Sequence, residues 1–270
     1  MKKYFFLPFF AILLCACSRN PYRATNRVYK LQVNVLNKQL KKLPEVALND
    51  TIIQPPYFVG TTNFNLRKPN YVIIHHTAQN NCNATLKTFT KSNTQVSAHY
   101  VICKDGTVYH MLNDYLRAWQ AGVSSWGNDK DINSSSIGIE LDNNGFEPFD
   151  SAQIKSLLSL LQHLKTTYHI PTANFIGHGD IAPTRKNDPN FRFPWQLLAQ
   201  HGFGNWYDTV ITDTVPDNFN TIAALRIIGY DVKDTTAAII AFKRHFLQDT
   251  TPNLTKPARL VLFNLQKKYM

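Results

Sequence analysis

Acidic residues are scarce in this chain. Among its 270 residues there are 18 Asp and Glu against 29 Lys and Arg, which gives a formal net charge of +11 at pH 7. A basic balance of this size favours a polyanionic partner, such as nucleic acid, acidic lipid or a cell-wall polymer. The cations are scattered along the chain, and no nucleic-acid-binding motif is present. Nucleic acid is therefore not expected as a partner, whereas a carboxylate-bearing cell-wall polymer fits the charge.

The sequence also lacks an apolar run long enough to cross a membrane. The stretch Tyr4–Leu14 has eleven residues, whereas a membrane-spanning helix needs about 20. Lys2 and Lys3 come directly before it, and a short basic region followed by a short apolar core is typical of a secretory signal peptide. Residues 1–16 are therefore predicted to be removed on export.

The end of this signal contains a candidate lipidation site. Leu14-Cys15-Ala16-Cys17 matches a lipobox, in which the last cysteine becomes the acylated mature N-terminus. Acyl chains on Cys17 would anchor the protein to a membrane without spanning it. Ser18 follows, and under bacterial sorting rules a residue other than Asp there favours the periplasmic side of the outer membrane. An ordinary signal peptide with an incidental cysteine is the alternative.

Cysteine is rare, with four residues in the chain. If Cys15 leaves with the signal and Cys17 is acylated, Cys82 and Cys103 remain. Two thiols in an exported protein could form a disulfide, and two separate buried thiols are the alternative. Neither cysteine has the spacing of a metal ligand. A closed, cysteine-rich structural zinc site is therefore not expected.

Short apolar runs alternate with segments of helical period between residues 71 and 177. Buried strands are predicted at 71–76, 136–141 and 175–177, and a hairpin is predicted from strands 96–103 and 108–112, with Gly106 in its turn. A helix over 84–93 would be capped by Asn83. A longer helix would begin after Asp150, which with Gln153 resembles a capping box. The pattern predicts an α/β fold, a mixed central β-sheet flanked by helices.

Changes in composition suggest four segments. After the signal, residues 17–55 are expected to form a tether with a helix near 27–42, and residues 56–210 a main domain. Residues 216–270 contain three helical segments, which would make a small three-helix bundle of marginal independent stability. A helical cap packed on the main domain is the alternative for this last segment.

Three fragments carry residues that could bind a metal. His75 ends an apolar run, His178 follows another, and Asp188 lies in Lys186-Asn187-Asp188-Pro189, with Asp180 as a rival carboxylate. Two imidazoles and one carboxylate are the ligand set of a zinc ion that keeps one position open for water. Adjacent side chains of a strand point to opposite faces, so His76 is not expected to join His75 on one ion.

A fourth fragment offers a candidate general base. Glu140 lies in Ile137-Gly138-Ile139-Glu140-Leu141, among apolar neighbours. Burial there would raise its pKa towards the range in which a carboxylate accepts and returns protons near neutral pH. A buried glutamate in an ion pair is the alternative.

In this order, the four fragments resemble the zinc-dependent N-acetylmuramoyl-L-alanine amidases of the type-2 amidase family, to which peptidoglycan recognition proteins are related. The resemblance covers residues 60–206 strongly and 216–270 weakly, where it is to three-helix peptidoglycan-binding modules. It implies a Zn²⁺ ion on His75, His178 and Asp188, since Lys-x-Asp-Pro is the family motif. It also implies that Glu140 is the base and that Lys186 stabilises the oxyanion.

Two further segments match the family, Ser97-Ala98-His99-Tyr100 and Trp119-Gln120-Ala121-Gly122. The resemblance implies that His99, Tyr100 and Trp119 line the substrate cleft. The family usually has a histidine where Gln120 stands and a glycine where Asn190 stands, so both positions depart from its pattern.

The implied activity is hydrolysis of the amide between N-acetylmuramic acid and L-alanine in peptidoglycan or muropeptides, by a monomer. The alternative is a non-catalytic recognition protein of the same fold. Such proteins typically lack the third ligand, and the presence of Asp188 therefore favours catalysis.

Overall fold

In a computed structural model of the chain, the described residues are 20–42, 61–63 and 65–270. They belong to two compact units, residues 1–64 and residues 65–270. The predicted signal peptide and Cys17 lie outside the described residues. Within the described part, no helix is both long and apolar enough to cross a membrane.

The described part of the first unit contains one helix, α1 (Arg23–Leu40). It begins and ends a few residues earlier than the helix predicted near 27–42. The side chain of its N-cap residue, Tyr22, makes no capping hydrogen bond. None of its residues is buried.

The second unit is built on a mixed five-stranded sheet with the order β3-β2-β4-β1-β5. Strands β1, β2, β4 and β5 are parallel where they pair, and β3 is antiparallel to β2. The prediction of a mixed sheet flanked by helices is confirmed. The strands are β1 (Tyr71–His76), β2 (Tyr100–Ile102), β3 (Val108–His110), β4 (Ser136–Leu141) and β5 (Phe175–Gly177).

Five helices of this unit follow the predicted segments with shifted ends, and three short ones were not predicted. In chain order, the helices are α2 (Cys82–Phe89), α3 (Ile132–Ser135), α4 (Ser151–Tyr168), α5 (His178–Ile181), α6 (Trp195–Gln200), α7 (Thr221–Ile228), α8 (Thr235–Leu247) and α9 (Lys256–Gln266). The last three confirm the three helical segments predicted in residues 216–270, and the short helices that were not predicted are α3, α5 and α6.

The start of α2 was predicted wrongly. Asn81, not Asn83, is the cap, because Asn81 has an extended backbone and its Oδ1 accepts from the Ala84 N–H at 3.0 Å. Asn83 lies inside the helix. The helix therefore begins two residues before the predicted start, and it ends at Phe89.

The predicted capping box at α4 is also wrong. Asp150 makes no side-chain cap bond. Gln153 is buried, and its Nε2 donates to the carbonyls of Ile102 and Asp142 instead. These carbonyls lie at the ends of β2 and just after β4, so Gln153 joins the helix to the sheet.

The hairpin is confirmed, but its strands are shorter than predicted. The turn between its strands contains Gly106, whose φ of +86° lies in the left-handed region that favours glycine. The disulfide Cys82–Cys103 forms, which excludes the alternative of two separate thiols. It joins the first residue of α2 to the residue after β2.

The two faces of the sheet pack against different helices. On one face, Val72 and Ile74 share a core with α4 residues such as Leu157 and Leu161. On the other, Ile73 and Ile176 share a core with the C-terminal helices, through residues that include Leu225, Phe242 and Leu262. Residues 216–270 thus cover one face of the sheet, which is the packing that the cap alternative describes.

Candidate metal centre

The register of the parallel strands brings two histidines together. His75 is near the end of β1, and His178 directly follows β5, in which Gly177 pairs with Ile74. Asp188 lies on the loop after α5, held to the same turn because the Gly179 N–H donates to the Asp188 carbonyl at 2.6 Å. All three side chains are buried.

The three side chains converge on one point. His75 Nδ1, His178 Nδ1 and Asp188 Oδ2 are each 3.0 Å from the other two. Among the residues that the structure describes, this is the group of His, Cys, Asp and Glu side chains able to hold a metal ion. It joins the three predicted ligands and includes neither His76 nor Asp180.

The hydrogen bond made by Nε2 of each histidine fixes the tautomer of its ring. His75 Nε2 is 2.5 Å from Gln120 Oε1, and His178 Nε2 is 3.1 Å from the Ala121 carbonyl. Both partners are oxygen acceptors, so each Nε2 must carry the proton. Each Nδ1 is then unprotonated, and its lone pair points at the other Nδ1 and at a carboxylate.

Three electron-pair donors at such short separations repel one another unless a cation lies between them. Two imidazole nitrogens and one carboxylate oxygen are donors that suit Zn²⁺, and three protein ligands leave a fourth position open. The residues present therefore fit a zinc ion.

Gln120 belongs to this centre although it departs from the family pattern. Its Oε1 fixes His75, while its Nε2 donates to Ser136 Oγ at 2.8 Å, and Ser136 Oγ donates to the Ile132 carbonyl. A Cβ at Gly138 would lie 2.6 Å from the Gln120 side chain, so a glycine is needed there. A non-titrating amide thus takes the place of an imidazole as the partner of the first ligand.

Glu140 faces the cluster from the adjacent strand. It pairs in register with His75, on the same face of the sheet. One of its carboxylate oxygens, Oε2, is inaccessible to solvent and has no hydrogen-bond partner among the described residues. Burial raises the pKa of Glu140 to about 7, against the opposing charges of His75 and Lys186. Within the part of the chain that the structure describes, no salt bridge involves this carboxylate.

Lys186 and Trp119 are exposed beside the centre. Lys186 lies two residues before Asp188 on the ligand loop. Trp119 precedes Gln120, and 54% of its surface is exposed. Both side chains are exposed to solvent.

His99 and Tyr100 do not line a cleft, which corrects the prediction made for them. His99 is fully buried, and both ring nitrogens are used by backbone groups: Nδ1 accepts from the Gly138 N–H, and Nε2 donates to the Leu116 carbonyl. Tyr100 belongs to the core on the opposite face of the sheet, where its hydroxyl donates to Asp114 at 3.0 Å.

Asp180, the rival carboxylate, holds the turn that carries His178. Its Oδ2 accepts from the Gly177 N–H at 2.8 Å and from His245 Nδ1 at 2.7 Å. Its Oδ1 accepts from the Tyr230 hydroxyl at 2.9 Å. The ring of His245 stacks on Trp195 with centroids 3.9 Å apart.

The C-terminal helices thus reach the back of the metal centre. Tyr230 follows α7 and His245 lies on α8. No motif indicated their role, because each residue is at least 50 residues from Asp180 along the chain. A buried polar residue on an otherwise apolar helix face, such as His245 beside Phe242 and Phe246, is the one available signal.

Comparison with known proteins agrees with this geometry. Residues 65–191 match the family model described as N-acetylmuramoyl-L-alanine amidase. The amidase AmiD of Escherichia coli is 35% identical over an alignment of 206 positions, which covers 65% of this chain and 74% of AmiD. The 1,6-anhydro-N-acetylmuramyl-L-alanine amidase AmpD of Haemophilus influenzae is 39% identical over 103 residues, 38% of this chain and 56% of AmpD.

Solved structures extend the likeness to the C-terminal helices. E. coli AmiD in complex with anhydro-N-acetylmuramic acid-L-Ala-D-γ-Glu-L-Lys has a TM-score of 0.68 and 30% identity, and the match covers 78% of this chain and 93% of that one. AmpDh3 of Pseudomonas aeruginosa in complex with an anhydromuramic pentapeptide has a TM-score of 0.69 and 26% identity, covering 81% and 99%. With its buried His-His-Asp cluster at the edge of the same sheet, this chain belongs to the N-acetylmuramoyl-L-alanine amidase family.

Proposed function

We propose that this amidase is a zinc enzyme, with the metal held by His75, His178 and Asp188, and that it cuts the bond between N-acetylmuramic acid and L-alanine in muropeptides. The observation that carries the proposal is the orientation of the two imidazoles. Gln120 and Ala121 hold the proton of each ring on the outer nitrogen. Both inner nitrogens are thereby ready to bind a cation without losing a proton.

A zinc ion in this position would polarise the carbonyl under attack and lower the pKa of water towards about 7. The chain must supply what remains, a group that accepts a proton and later returns it. Glu140 suits this role, since its carboxylate faces the cluster and has an unpaired buried oxygen. The proton would move to Glu140 as water attacks, and then to the nitrogen of L-alanine as the amide bond breaks.

Lys186 is proposed to stabilise the negative charge that develops on the carbonyl oxygen. Lys186 is exposed and lies on the same loop as Asp188. Its positive charge acts on Glu140, where it lowers the pKa of the carboxyl group. Donors placed where charge develops are often the largest single contribution to catalysis. Trp119 offers an exposed apolar ring on which a sugar could rest at the entrance.

The substrate class is proposed from the relatives. Two solved relatives hold anhydromuramyl peptides, and the basic charge of this chain suits stem peptides that carry carboxylates. The alternative, a recognition protein that binds without cutting, is disfavoured because the third ligand is present and lies 3.0 Å from both imidazoles.

The test is to incubate the purified protein with an anhydromuramyl tripeptide and to follow the release of free peptide by mass spectrometry. Release should stop when a chelator removes the metal and should return with added zinc. Binding of the muropeptide without any release, in zinc-loaded protein, would favour the recognition alternative.

Envelope location is supported by the cell-wall substrates of the relatives, and we further propose that Cys17 is acylated. The protein would then be anchored on the periplasmic side of the outer membrane as a monomer. Membrane fractionation of a Cys17→Ala variant tests the anchor, since that variant should be released. Unchanged membrane association would show that acylation of Cys17 is not what holds the protein there.

The C-terminal helices are proposed to contribute to substrate engagement as well as to packing. Their weak resemblance to peptidoglycan-binding modules is the support for this role. Substitution of exposed residues on α7, such as Ile222 and Ile227, should weaken binding to whole sacculi without changing turnover of small muropeptides.

A further inference from the structure

The segment before the amidase unit has an unusual charge. Between residues 17 and 44 there are seven Lys and Arg and no Asp or Glu. Residues 51–104 also lack acids, but they carry five Lys and Arg over 54 residues, so residues 17–44 have the denser positive charge. This local imbalance points to an anionic partner for the segment itself, independent of the substrate of the amidase unit.

Helix α1 sorts these charges to one side. At 100° per residue, Arg23, Arg27, Lys30 and Lys38 fall within an arc of about 80° around the helix axis. The remaining arc carries no charge. It holds large apolar side chains that are 41–73% exposed, namely Val28, Leu31, Val35, Leu36 and Leu40, with the uncharged Gln32 and Gln39 between them.

Within the described part of its unit, no contact buries the basic arc or the apolar arc of this helix, since none of its residues is buried. A soluble polyanion would pair with the cations but leave the apolar arc in water. A lipid surface with negative headgroups can bind both arcs. The apolar arc enters the acyl boundary, while the cations remain at the level of the phosphates.

We propose that α1 is an interfacial helix that lies flat on an anionic phospholipid bilayer. The helix then does not lead away from the membrane as a simple tether. It forms a second attachment, which does not depend on acylation of Cys17. It would add to the attachment that the acyl chains on Cys17 provide, because a basic amphipathic helix binds the interface through its own apolar area and charge.

The test uses the form expected after signal cleavage, residues 17–270, with Cys17→Ser so that no acyl chain contributes. Its partition onto phosphatidylcholine vesicles with and without phosphatidylglycerol is measured by flotation. Binding is expected with the anionic vesicles alone, weaker at high salt. No binding to anionic vesicles would overturn the proposal.

Two matched charge variants locate the binding surface. One neutralises the helix with Arg23→Gln, Arg27→Gln, Lys30→Gln and Lys38→Gln. The other makes the same change in net charge on exposed lysines of the amidase unit, with Lys87→Gln, Lys91→Gln, Lys155→Gln and Lys233→Gln. Each cation near an anionic surface strengthens binding about fivefold, so the helix variant should bind about a hundredfold more weakly or worse. The second variant should lose only a few-fold, and equal losses would contradict the proposal.

A third variant tests the apolar arc, with Val28→Gln, Leu31→Gln and Val35→Gln. It keeps every charge, and it should bind at least about tenfold more weakly because apolar burial is lost. Wild-type binding by this variant would mean that the cations act without insertion, and would overturn the interfacial arrangement. A helix variant that loses binding to purified sacculi while keeping its vesicle binding would instead assign α1 to the cell-wall polymer.

Discussion

The position of one proton on each of two imidazoles decides whether the cluster can bind a metal. His75 and His178 are buried, and each presents Nδ1 inward because its Nε2 meets an oxygen acceptor. Such outer partners orient metal ligands and raise their basicity. The chemistry of the site therefore depends on residues that never touch the metal.

Gln120 provides a test of this dependence. In Gln120→Leu the Nε2–H of His75 loses its acceptor, so zinc affinity should fall about 10–100-fold, as for other outer partners. Competition with a chromogenic chelator measures it. Gln120→His, which introduces the residue usual in the family, should retain most of the affinity, and Gln196→Leu on exposed α6 is the control. An unchanged affinity in Gln120→Leu would show that the contact does not orient the ligand.

Glu140 should separate catalysis from metal binding. Glu140→Gln removes the base but no ligand, so zinc stoichiometry should stay the same while kcat falls about 10²–10⁴-fold. The matched control is Glu147→Gln, which removes a carboxylate that pairs with Lys104 away from the cluster. Turnover of Glu140→Gln near that of the wild type, with zinc bound, would assign the proton transfers to another group.

At the scale of elements, the metal centre combines strand ends with a brace from the C-terminal helices. Parallel β1 and β5 end side by side, which fixes His75 and His178 to a rigid sheet. The turn after β5 is held by Asp180, which accepts from Tyr230 and His245. Helix α8 therefore supports a ligand that lies on a different element.

This brace predicts the behaviour of two conservative variants. Tyr230→Phe and His245→Phe each remove one donor to a buried carboxylate while leaving an aromatic ring in place, so the free energy of unfolding should fall by about 1–3 kcal/mol. Because Asp180 holds the turn of His178, zinc affinity should fall as well. Denaturant unfolding and zinc competition measure the two effects, with exposed His201→Phe as control. Lower stability with unchanged zinc affinity would show that the hydrogen bonds to Asp180 support folding but not metal binding.

Over the whole molecule, sequence patterns predicted the features that are determined by residues close together along the chain. Three of the four parallel strands, β1, β4 and β5, were predicted with their observed ends, because each is a short apolar run with polar or proline boundaries. The cluster of His75, His178 and Asp188 was predicted because each member follows such a run or belongs to a motif. Asn81 and Asn83 are equally good caps in sequence, and backbone conformation alone decides between them.

What the sequence could not supply were contacts between distant segments. His99 and Tyr100 are adjacent, yet the strand sends them to opposite faces, where both are buried. Tyr230 and His245 act on Asp180 from 50 and 65 residues away. No periodicity predicts such contacts, since they depend on how the C-terminal helices pack on the sheet.

The shared core makes a prediction about truncation. A chain ending at Tyr207 would expose Ile73, Ile176 and Ile181, which are buried under the C-terminal helices. It should fail to fold cooperatively and should not retain zinc, as judged by thermal unfolding and metal analysis. A folded, active truncation would instead make residues 216–270 a separable module.

The central claim is that one zinc ion on His75, His178 and Asp188 drives the amidase reaction. It is tested most directly by titrating metal-free protein with zinc while measuring cleavage of an anhydromuramyl peptide. Activity should rise linearly and stop at one equivalent, and His178→Ala should show neither the rise nor tight binding. Full activity in the metal-free protein, or the same titration curve in His178→Ala, would contradict the account.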